Sequence, residues 1–433
     1  MQVSVETTSG LERRMTVTMP KENIDGEVQK RLKDLAGRVK IDGFRPGKVP
    51  FSVVRQKFSG QVSQEVMGEV MQNSFYEAVL QEKLRPAGVP LIEPGDAKEE
   101  FEFTAIFEVY PEFEVTGLDK IKIERPVVEI GDVDIDKMLE TIRKQRRTWG
   151  EVDRAGQEGD QLTIDFVGTL DGEEFQGGTA TQVPLELGSK RMIPGFEEQL
   201  MGAKAGQELT LDVTFPEDYH AKDLAGKAVK FATTVLKVEE PVLPELTDEF
   251  AVEFGVKEGG LDALKQQVRE NMQREAEQAI TMRVKEQVFD GLMGLELLAI
   301  PKALVDSEIE VLVKQRQQDM QQYGAPAQDV DPAQFETQAQ RRVSLGLILA
   351  EVIKVNDITV PPTRLREAVE KMAASYERPE ELIKYYYDDK DRLKEVENVT
   401  LEEMAVEHIV SQASVSDKNT SFDALMNPGQ TAD

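Results

Sequence analysis

The sequence predicts a multidomain α+β protein, and three features of the chain lead to this prediction. Residues 1–112 begin and end with alternating apolar and polar residues, which flank helical segments. Residues 150–242 contain more glycine than the helical segments, as a β-rich region with closely spaced turns requires. Beyond about residue 259 the apolar residues have helical spacing over long stretches. A chain of 433 residues has room for about two to four domains.

The first domain, residues 1–112, is predicted to combine a sheet with two or more helices. VSVETT and RRMTVTMP alternate as a strand pair, and FEFTAIFEVYPEFEV alternates as a further strand. An amphipathic helix follows the strand pair, with apolar residues at Ile24, Val28, Leu32, Leu35 and Val39. This helix is expected to stop at Asp42-Gly43. VPFSVVRQKF and SGQVSQEVMGEVMQNSFYEAVLQEK then predict a short helix and a long one, so the intervening GFRPGKVP is a helix–helix tip.

The remaining three segments are predicted as follows. Residues 113–149 read as a strand-like link and a charged helix, and residues 150–242 as a β domain with a hairpin turn at Asp171-Gly172. In residues 243–433, PVLPELTDEF is a linker and the remainder is helical. The first predicted helical segment ends at Leu298. The next two run over Pro301–Tyr323 and Pro332–Val355, and shorter helices follow from Pro361 to about Val415. The polar tail from about residue 416 is expected to be disordered.

The charge of the chain is strongly acidic but unevenly distributed. The formal net charge is −29, yet Lys30 to Lys57 contains nine basic residues against only Asp34 and Asp42. The acidic remainder should repel nucleic acid. The basic island is therefore either a local docking element for a nucleic-acid-rich partner or an ordinary solvated helix face.

Several kinds of chemistry lack their usual residues in this sequence. Cysteine is absent, histidine occurs only as His220 and His408, and neither HExxH nor GxSxG is present. GFRPGK differs from a phosphate-binding P-loop, because three residues instead of four separate Gly43 from Gly47 and Val49 stands where Ser or Thr is needed. We therefore expect no metal site and no cofactor.

The apolar content also bears on location. No stretch approaches the ~18–20 apolar residues that a membrane span needs. The first residues contain no apolar signal-peptide core. A cytoplasmic protein without membrane contact is the expectation.

Four segments of the β-rich domain together resemble the FKBP-type peptidyl-prolyl isomerase family. They are LTIDFVGTLDGEEFQGG, LELGSKRMIPGFEEQL, PEDYH and KFATTVLKVEE. The first is one residue shorter than the family pattern, and the other spacings agree over about 90 residues. The resemblance implies a twisted antiparallel half-barrel around one short helix, which should begin near residues 194–196.

The resemblance also implies an apolar substrate pocket that catalyses X–Pro isomerisation. The Ile193 N–H would receive a substrate carbonyl, and Phe196 would form the floor where many relatives have Trp. Two positions depart from the family pattern: Gln176 replaces an aspartate, and the segment 183–185 replaces an aromatic-rich strand. These departures should lower affinity for macrolide ligands more than they lower isomerase activity. The alternative is that these aromatic residues are only the core of a small β domain. The implied catalytic residues are Phe166, Phe175, Met192, Ile193, Phe196, Tyr219 and Phe231.

The domain order resembles the trigger factor family over essentially the whole chain. In that family a GFRxGKxP-like tip docks on the large ribosomal subunit, beside the exit tunnel, where it meets protein and rRNA. The implied ribosome-binding residues are Gly43, Phe44, Arg45, Pro46, Gly47 and Lys48. Residues 113–149 and 243–433 would form a helical body with arms, which binds unfolded nascent polypeptides without ATP.

Two alternatives to a ribosome-associated chaperone and isomerase stay open at the level of sequence. One is a folding factor that never contacts ribosomes, such as a periplasmic chaperone. The other is a binding module whose isomerase fold is inactive. A homodimer of the free protein also stays open. Methionines such as Met272, Met282, Met320 and Met372 fit either client contacts or helix cores.

Overall fold

The first 112 residues form a four-stranded antiparallel sheet packed against a helical hairpin. Strand order is β1-β2-β4-β3, and β2 pairs with β4 so that Met15 lies opposite Ala105 and Val17 opposite Phe103. These four side chains are fully buried and pack in one core with Phe75 of α2. The elements are β1 Gln2–Ser9, β2 Glu12–Pro20, α1 Lys21–Ala36, α2 Phe51–Gln81, β3 Leu91–Pro94 and β4 Glu100–Glu108.

The structure is a computed structural model and describes residues 1–433 except 43, 45–48, 96–99, 220, 323–329, 375, 377 and 429–433. The chain divides into two compact units, and we describe each by itself. The first comprises residues 1–125 and 281–418, and the second comprises residues 126–280 and 419–433. In the part of the chain that is described, no helix is long and apolar enough to cross a membrane.

The predicted helices of the first domain differ from the observed ones in two respects. α1 ends at Ala36, before the expected stop at Asp42-Gly43, and Gly37 after it donates its N–H to the carbonyl of Asp34. The predicted short and long helices are one 31-residue helix, α2. Gly60 lies inside α2 in open space, and one interior glycine costs only about 1 kcal/mol relative to alanine, so it does not break the helix.

The β-rich domain is a five-stranded antiparallel sheet with one short helix against it. Strand order is β6-β10-β7-β8, and β9 also pairs with β10. The sheet buries Leu162 and Ile164 of β7 and Val235 of β10 against Phe196 and Leu200 of the helix. This confirms the predicted fold class. The elements are β6 Thr148–Glu151, β7 Gln161–Leu170, β8 Glu173–Glu186, α4 Phe196–Leu200, β9 Glu208–Thr214 and β10 Ala228–Val242.

The remaining elements are mostly helical, as predicted. Two of the predicted bounds shift, since Pro332–Phe335 is a single 3-10 turn before α8 and the segment expected to reach Leu298 ends at Gly294. The elements are β5 Lys122–Val127, α3 Asp132–Gln145, α5 Asp248–Glu253, α6 Gly260–Gly294, α7 Lys302–Gln322, α8 Glu336–Val355, α9 Pro362–Ala373, α10 Pro379–Tyr387, α11 Lys390–Gln412, β11 Ser414–Asn419 and α12 Phe422–Met426.

The tail from residue 416 is ordered through α12, so the prediction of disorder is wrong there. β11 pairs with β5, and Arg125 forms two hydrogen bonds with Asp417, at 2.8 and 3.2 Å. Phe422 and Leu425 of α12 are buried in an apolar core with residues of α3, α5 and α6. The polar composition concealed two apolar anchors spaced three residues apart on one helical turn.

We expect Phe422→Ala to release α12 from this core. Truncating a buried phenylalanine costs about 3 kcal/mol, so the amide of Leu425 should exchange its hydrogen about 100-fold faster than in the wild type. Met426→Ala is the matched control, because Met426 lies on the same helix and is 38% exposed. Equal exchange in Phe422→Ala and wild type would show that the tail does not depend on this contact.

Candidate active site

Three phenylalanine rings pack together in the β-rich domain, where the FKBP-type resemblance leads us to expect the floor of a substrate cavity. Phe166 of β7, Phe196 of α4 and Phe231 of β10 are all buried, with ring centroids 5.2–5.9 Å apart in edge-to-face geometry. The strand period of two brings them together, because Phe166 alternates inward with Ile164, and Phe231 with Val235.

A second group of rings extends the cavity from Phe231. The ring centroid of Phe175 lies 6.0 Å from that of Phe231 and 6.1 Å from that of Phe215, and the centroids of Phe215 and Tyr219 are 4.6 Å apart. Phe175 and Tyr219 are partly buried, whereas Phe215 is buried. Sequence analysis missed Phe215, although it continues the inward alternation of Leu211 and Val213 on β9. We call these six rings the aromatic cavity: Phe166, Phe175, Phe196, Phe215, Tyr219 and Phe231.

Two glycines allow the ring of Phe175 to approach the sheet. A Cβ atom on Gly168 would lie 2.8 Å from Cε1 of Phe175 and 2.6 Å from Cε1 of Phe231. A Cβ atom on Gly178 would lie 2.7 Å from Cζ of Phe175. Any other residue at these positions would therefore displace the ring.

The wall loop, residues 188–193, joins β8 to α4 and supplies the two aliphatic residues that were predicted for the site. Met192 and Ile193 are partly buried and pack against the same core as the rings. The chain then turns at Gly195, whose φ of 86° is in the left-handed region, and Phe196 donates its N–H to the Ile193 carbonyl at 3.1 Å. All seven residues predicted as catalytic thus pack in one cluster. Their contact with substrate stays a prediction.

A buried carboxylate, Glu197, holds the wall loop from inside. Its oxygens accept five hydrogen bonds, from the N–H groups of Gly188 (2.9 Å), Lys190 (3.0 Å), Arg191 (2.9 Å) and Met192 (3.1 Å) and from Ser189 Oγ (3.2 Å). Burial opposes ionisation, but the hydrogen bonds outweigh it and the pKa of Glu197 lies below its ordinary value. Sequence analysis quoted this residue within a motif but assigned it no role.

A polar groove of about 480 Å³ lies on the other face of the same sheet. On β10, Ala232, Thr233 and Thr234 line it. Asp165, Glu208 and several threonines make it more polar than the aromatic cavity, although Phe166, Val167, Ala180 and Leu209 also line it. Within the described residues, no group of three or more His, Asp or Glu side chains is arranged to hold a metal ion.

The aromatic cavity suits a reaction that needs no acid, base or nucleophile. Apart from the Tyr219 hydroxyl its side chains are hydrocarbon, so a peptide carbonyl that enters it loses water. Rotation about a peptide C–N bond faces a barrier of ~18–20 kcal/mol because that bond has partial double-bond character. Removing water from the carbonyl weakens this resonance and so favours the twisted bond.

The predicted docking tip lies between α1 and α2. Of its predicted residues only Phe44 is described, and its side chain is 39% exposed. Gly43, Arg45, Pro46, Gly47 and Lys48 lie outside the described residues. Next to the tip, Val49 is buried and Pro50 precedes the first residue of α2, so the chain is anchored where the second helix begins.

Family models match the chain in three consecutive segments. Residues 1–142 match the model described as bacterial trigger factor protein, residues 152–239 match FKBP-type peptidyl-prolyl cis-trans isomerase, and residues 260–411 match the bacterial trigger factor C-terminus.

Similar proteins agree with these matches over their whole length. The trigger factor of Idiomarina loihiensis is 49% identical over 99% of this chain and 100% of its own. Those of Pseudoalteromonas atlantica and Pseudomonas putida are each 50% identical over 99% of both chains.

Proposed function

The chain belongs to the bacterial trigger factor family, a family of chaperones with an FKBP-type isomerase domain, and from this membership we propose how it works. It docks on the large ribosomal subunit beside the exit tunnel and binds unfolded nascent chains without ATP. While a chain is held, its X–Pro bonds are isomerised in the aromatic cavity. The observation that carries the isomerase site is the packing of Phe166, Phe175 and Phe196 around Phe231, in the same apolar cluster as Phe215, Tyr219, Met192 and Ile193.

The isomerase step follows from differential binding of the twisted bond. The substrate proline would enter between Phe175, Tyr219 and Phe231, above Phe196. The Ile193 N–H would bind the substrate carbonyl. A thousandfold acceleration requires only about 4 kcal/mol of tighter binding of the twisted bond than of either planar isomer.

Docking rests on the position and charge of the tip. Phe44 is exposed at the end of a helical hairpin, inside the basic stretch of residues 30–57 of an acidic chain. Arg45 would form paired hydrogen bonds with phosphate or carboxylate, Lys48 would add a point charge, and Phe44 would add apolar contact. The surrounding acidic surface would be repelled by rRNA, so the tip would be the contact.

Client binding is proposed for the helical residues 113–149 and 243–433. Large apolar side chains are exposed there at separate places rather than in one pocket, which suits unfolded chains of varied sequence. The methionines divide between the two expected roles, since Met272 is 3% exposed and belongs to a core, whereas Met282 is 72% exposed. The exposed set includes Met282, Val311, Val355, Met372, Tyr376, Tyr385 and Val399.

Two measurements on the wild-type protein test this function. We expect it to suppress aggregation of a denatured protein equally with and without ATP. We also expect it to co-sediment with ribosomes, with binding that weakens as salt rises, because Lys and Arg contacts to phosphate release counterions. A protein that suppresses aggregation but stays in the supernatant at low salt would instead be a folding factor that acts away from ribosomes.

The remaining parts of the proposal concern place and organisation. We propose a cytoplasmic protein, because the ribosome is there, that can form a homodimer when free. We keep the functional division into 1–112, 113–149, 150–242 and 243–433, with the last two ordered elements, β11 and α12, added to the C-terminal part.

A further inference from the structure

The wall loop has an unusual backbone conformation, and one side chain accepts hydrogen bonds from its N–H groups. Gly188 and Lys190 both have positive φ, 88° and 56°, and only glycine adopts that region without strain. This conformation turns successive N–H groups toward one point, and the carboxylate of Glu197 occupies that point. Ser189 adds its hydroxyl from the same loop.

The charge of Glu197 is needed because all five partners are donors. A carboxylate has two oxygens that only accept hydrogen bonds, and here both are used. Glutamine has the same shape but would direct an NH2 group at backbone N–H groups, leaving donors opposite donors. A buried donor without an acceptor is costly, so the loop would move.

We propose that Glu197 is a positioning residue of the isomerase: it fixes the wall loop, and with it Met192 and the N–H of Ile193, against the aromatic cavity. Glu197 does not touch the substrate. It acts through Met192 and Ile193, the last two residues of the wall loop, whose placement decides how well the twisted bond is bound. This inference rests on the proposed pocket, in which Met192 and Ile193 form one wall.

The test compares Glu197→Gln with wild type in the full-length protein, using an X–Pro tetrapeptide as substrate. We expect kcat/KM to fall at least about tenfold, because a displacement of a catalytic group by ~1 Å lowers the rate by that factor or more. We also expect faster hydrogen exchange at the amides of Gly188, Lys190, Arg191 and Met192. The Val235 amide, which is bonded to Gln207 elsewhere in the domain, should be unchanged.

Two control variants separate positioning from loss of charge and loss of stability. Glu198→Gln removes the same charge from the next, exposed position of α4, and should stay within about twofold of wild type. Val238→Ala truncates a fully buried residue of the same core that lies on β10 and not in the wall loop. At a comparable loss of stability it should leave kcat/KM within about threefold of wild type.

The outcomes are distinguishable. A folded Glu197→Gln protein with wild-type kcat/KM overturns the inference, and so does an activity loss that Val238→Ala reproduces in full. If Glu197→Gln does not fold, Ser189→Ala decides: a fall of about two- to fivefold with faster loop exchange supports the inference, and no change overturns it. If Phe196→Ala is also fully active, the proposed pocket itself is wrong, which is a different failure.

Discussion

Phe196→Ala should lower kcat/KM for X–Pro isomerisation at least about 100-fold, the largest catalytic effect we expect. Phe196 is fully buried and contacts both Phe166 and Phe231, at 5.9 and 5.2 Å between centroids. Removing it opens the floor of the aromatic cavity to water and lets the other two rings move. Refolding of a protein limited by proline isomerisation, and turnover of an X–Pro tetrapeptide, both measure the loss.

The control for this prediction must lose a similar amount of core. Phe250→Ala removes a phenylalanine that is 3% exposed and lies in a different core of the same unit. In each variant the core around the truncated phenylalanine should lose about 3–5 kcal/mol of unfolding free energy, but only Phe196→Ala should lose activity. Phe196→Leu keeps most of the volume and should lose about tenfold less than Phe196→Ala. Equal activity of Phe196→Ala and wild type would remove the pocket assignment.

The triple variant Phe44→Ala, Arg45→Ala, Lys48→Ala should pellet with ribosomes at least about tenfold more weakly than wild type. It loses the apolar contact and both cations of the tip at once. Each phosphate contact that is lost should also reduce the slope of log affinity against log salt by about 0.9, if the phosphates belong to a duplex. Isomerase activity toward a tetrapeptide should be unchanged, because the variant leaves the β-rich domain intact.

A matched triple variant of Arg14, Lys21 and Tyr76 to alanine controls for charge and aromatic loss. It also removes one arginine, one lysine and one aromatic residue from the same domain. Arg14 lies on β2, Lys21 at the start of α1 and Tyr76 late in α2, and these side chains are exposed. It should bind ribosomes like wild type. If it weakens co-sedimentation as much as the tip variant does, net charge and not the tip governs binding.

Sequence patterns predicted the elements well where periodicity and turn residues agree. The strand alternation of β2, β4, β7 and β10 and the long helices after residue 259 are confirmed. Helix ends were harder to predict, since α1 ends before Gly37 while Gly60 is tolerated inside α2. α2 buries residues on both sides of Gly60, such as Val54 and Val62.

The candidate site was predictable in its ring positions but not in what supports them. Phe166, Phe196 and Phe231 follow motifs that can be recognised in the sequence. Glu197 looks like any acidic residue in the first turn of a helix, and only the structure shows five donors converging on it. The prediction of a disordered tail was wrong for a related reason, because the burial of Phe422 depends on residues of α3, α5 and α6, which are far away in the sequence.

The most direct test of the central claim is to map where an X–Pro tetrapeptide binds, by following the backbone amide signals of the full-length protein during titration. We expect the signals of Ile193, Phe175 and Tyr219 to shift together and to saturate at one affinity. Thr210 and Thr234, which line the polar groove on the other face of the sheet, should stay in place. Saturable shifts at Thr210 and Thr234 with none at Ile193 would show that the substrate binds outside the aromatic cavity.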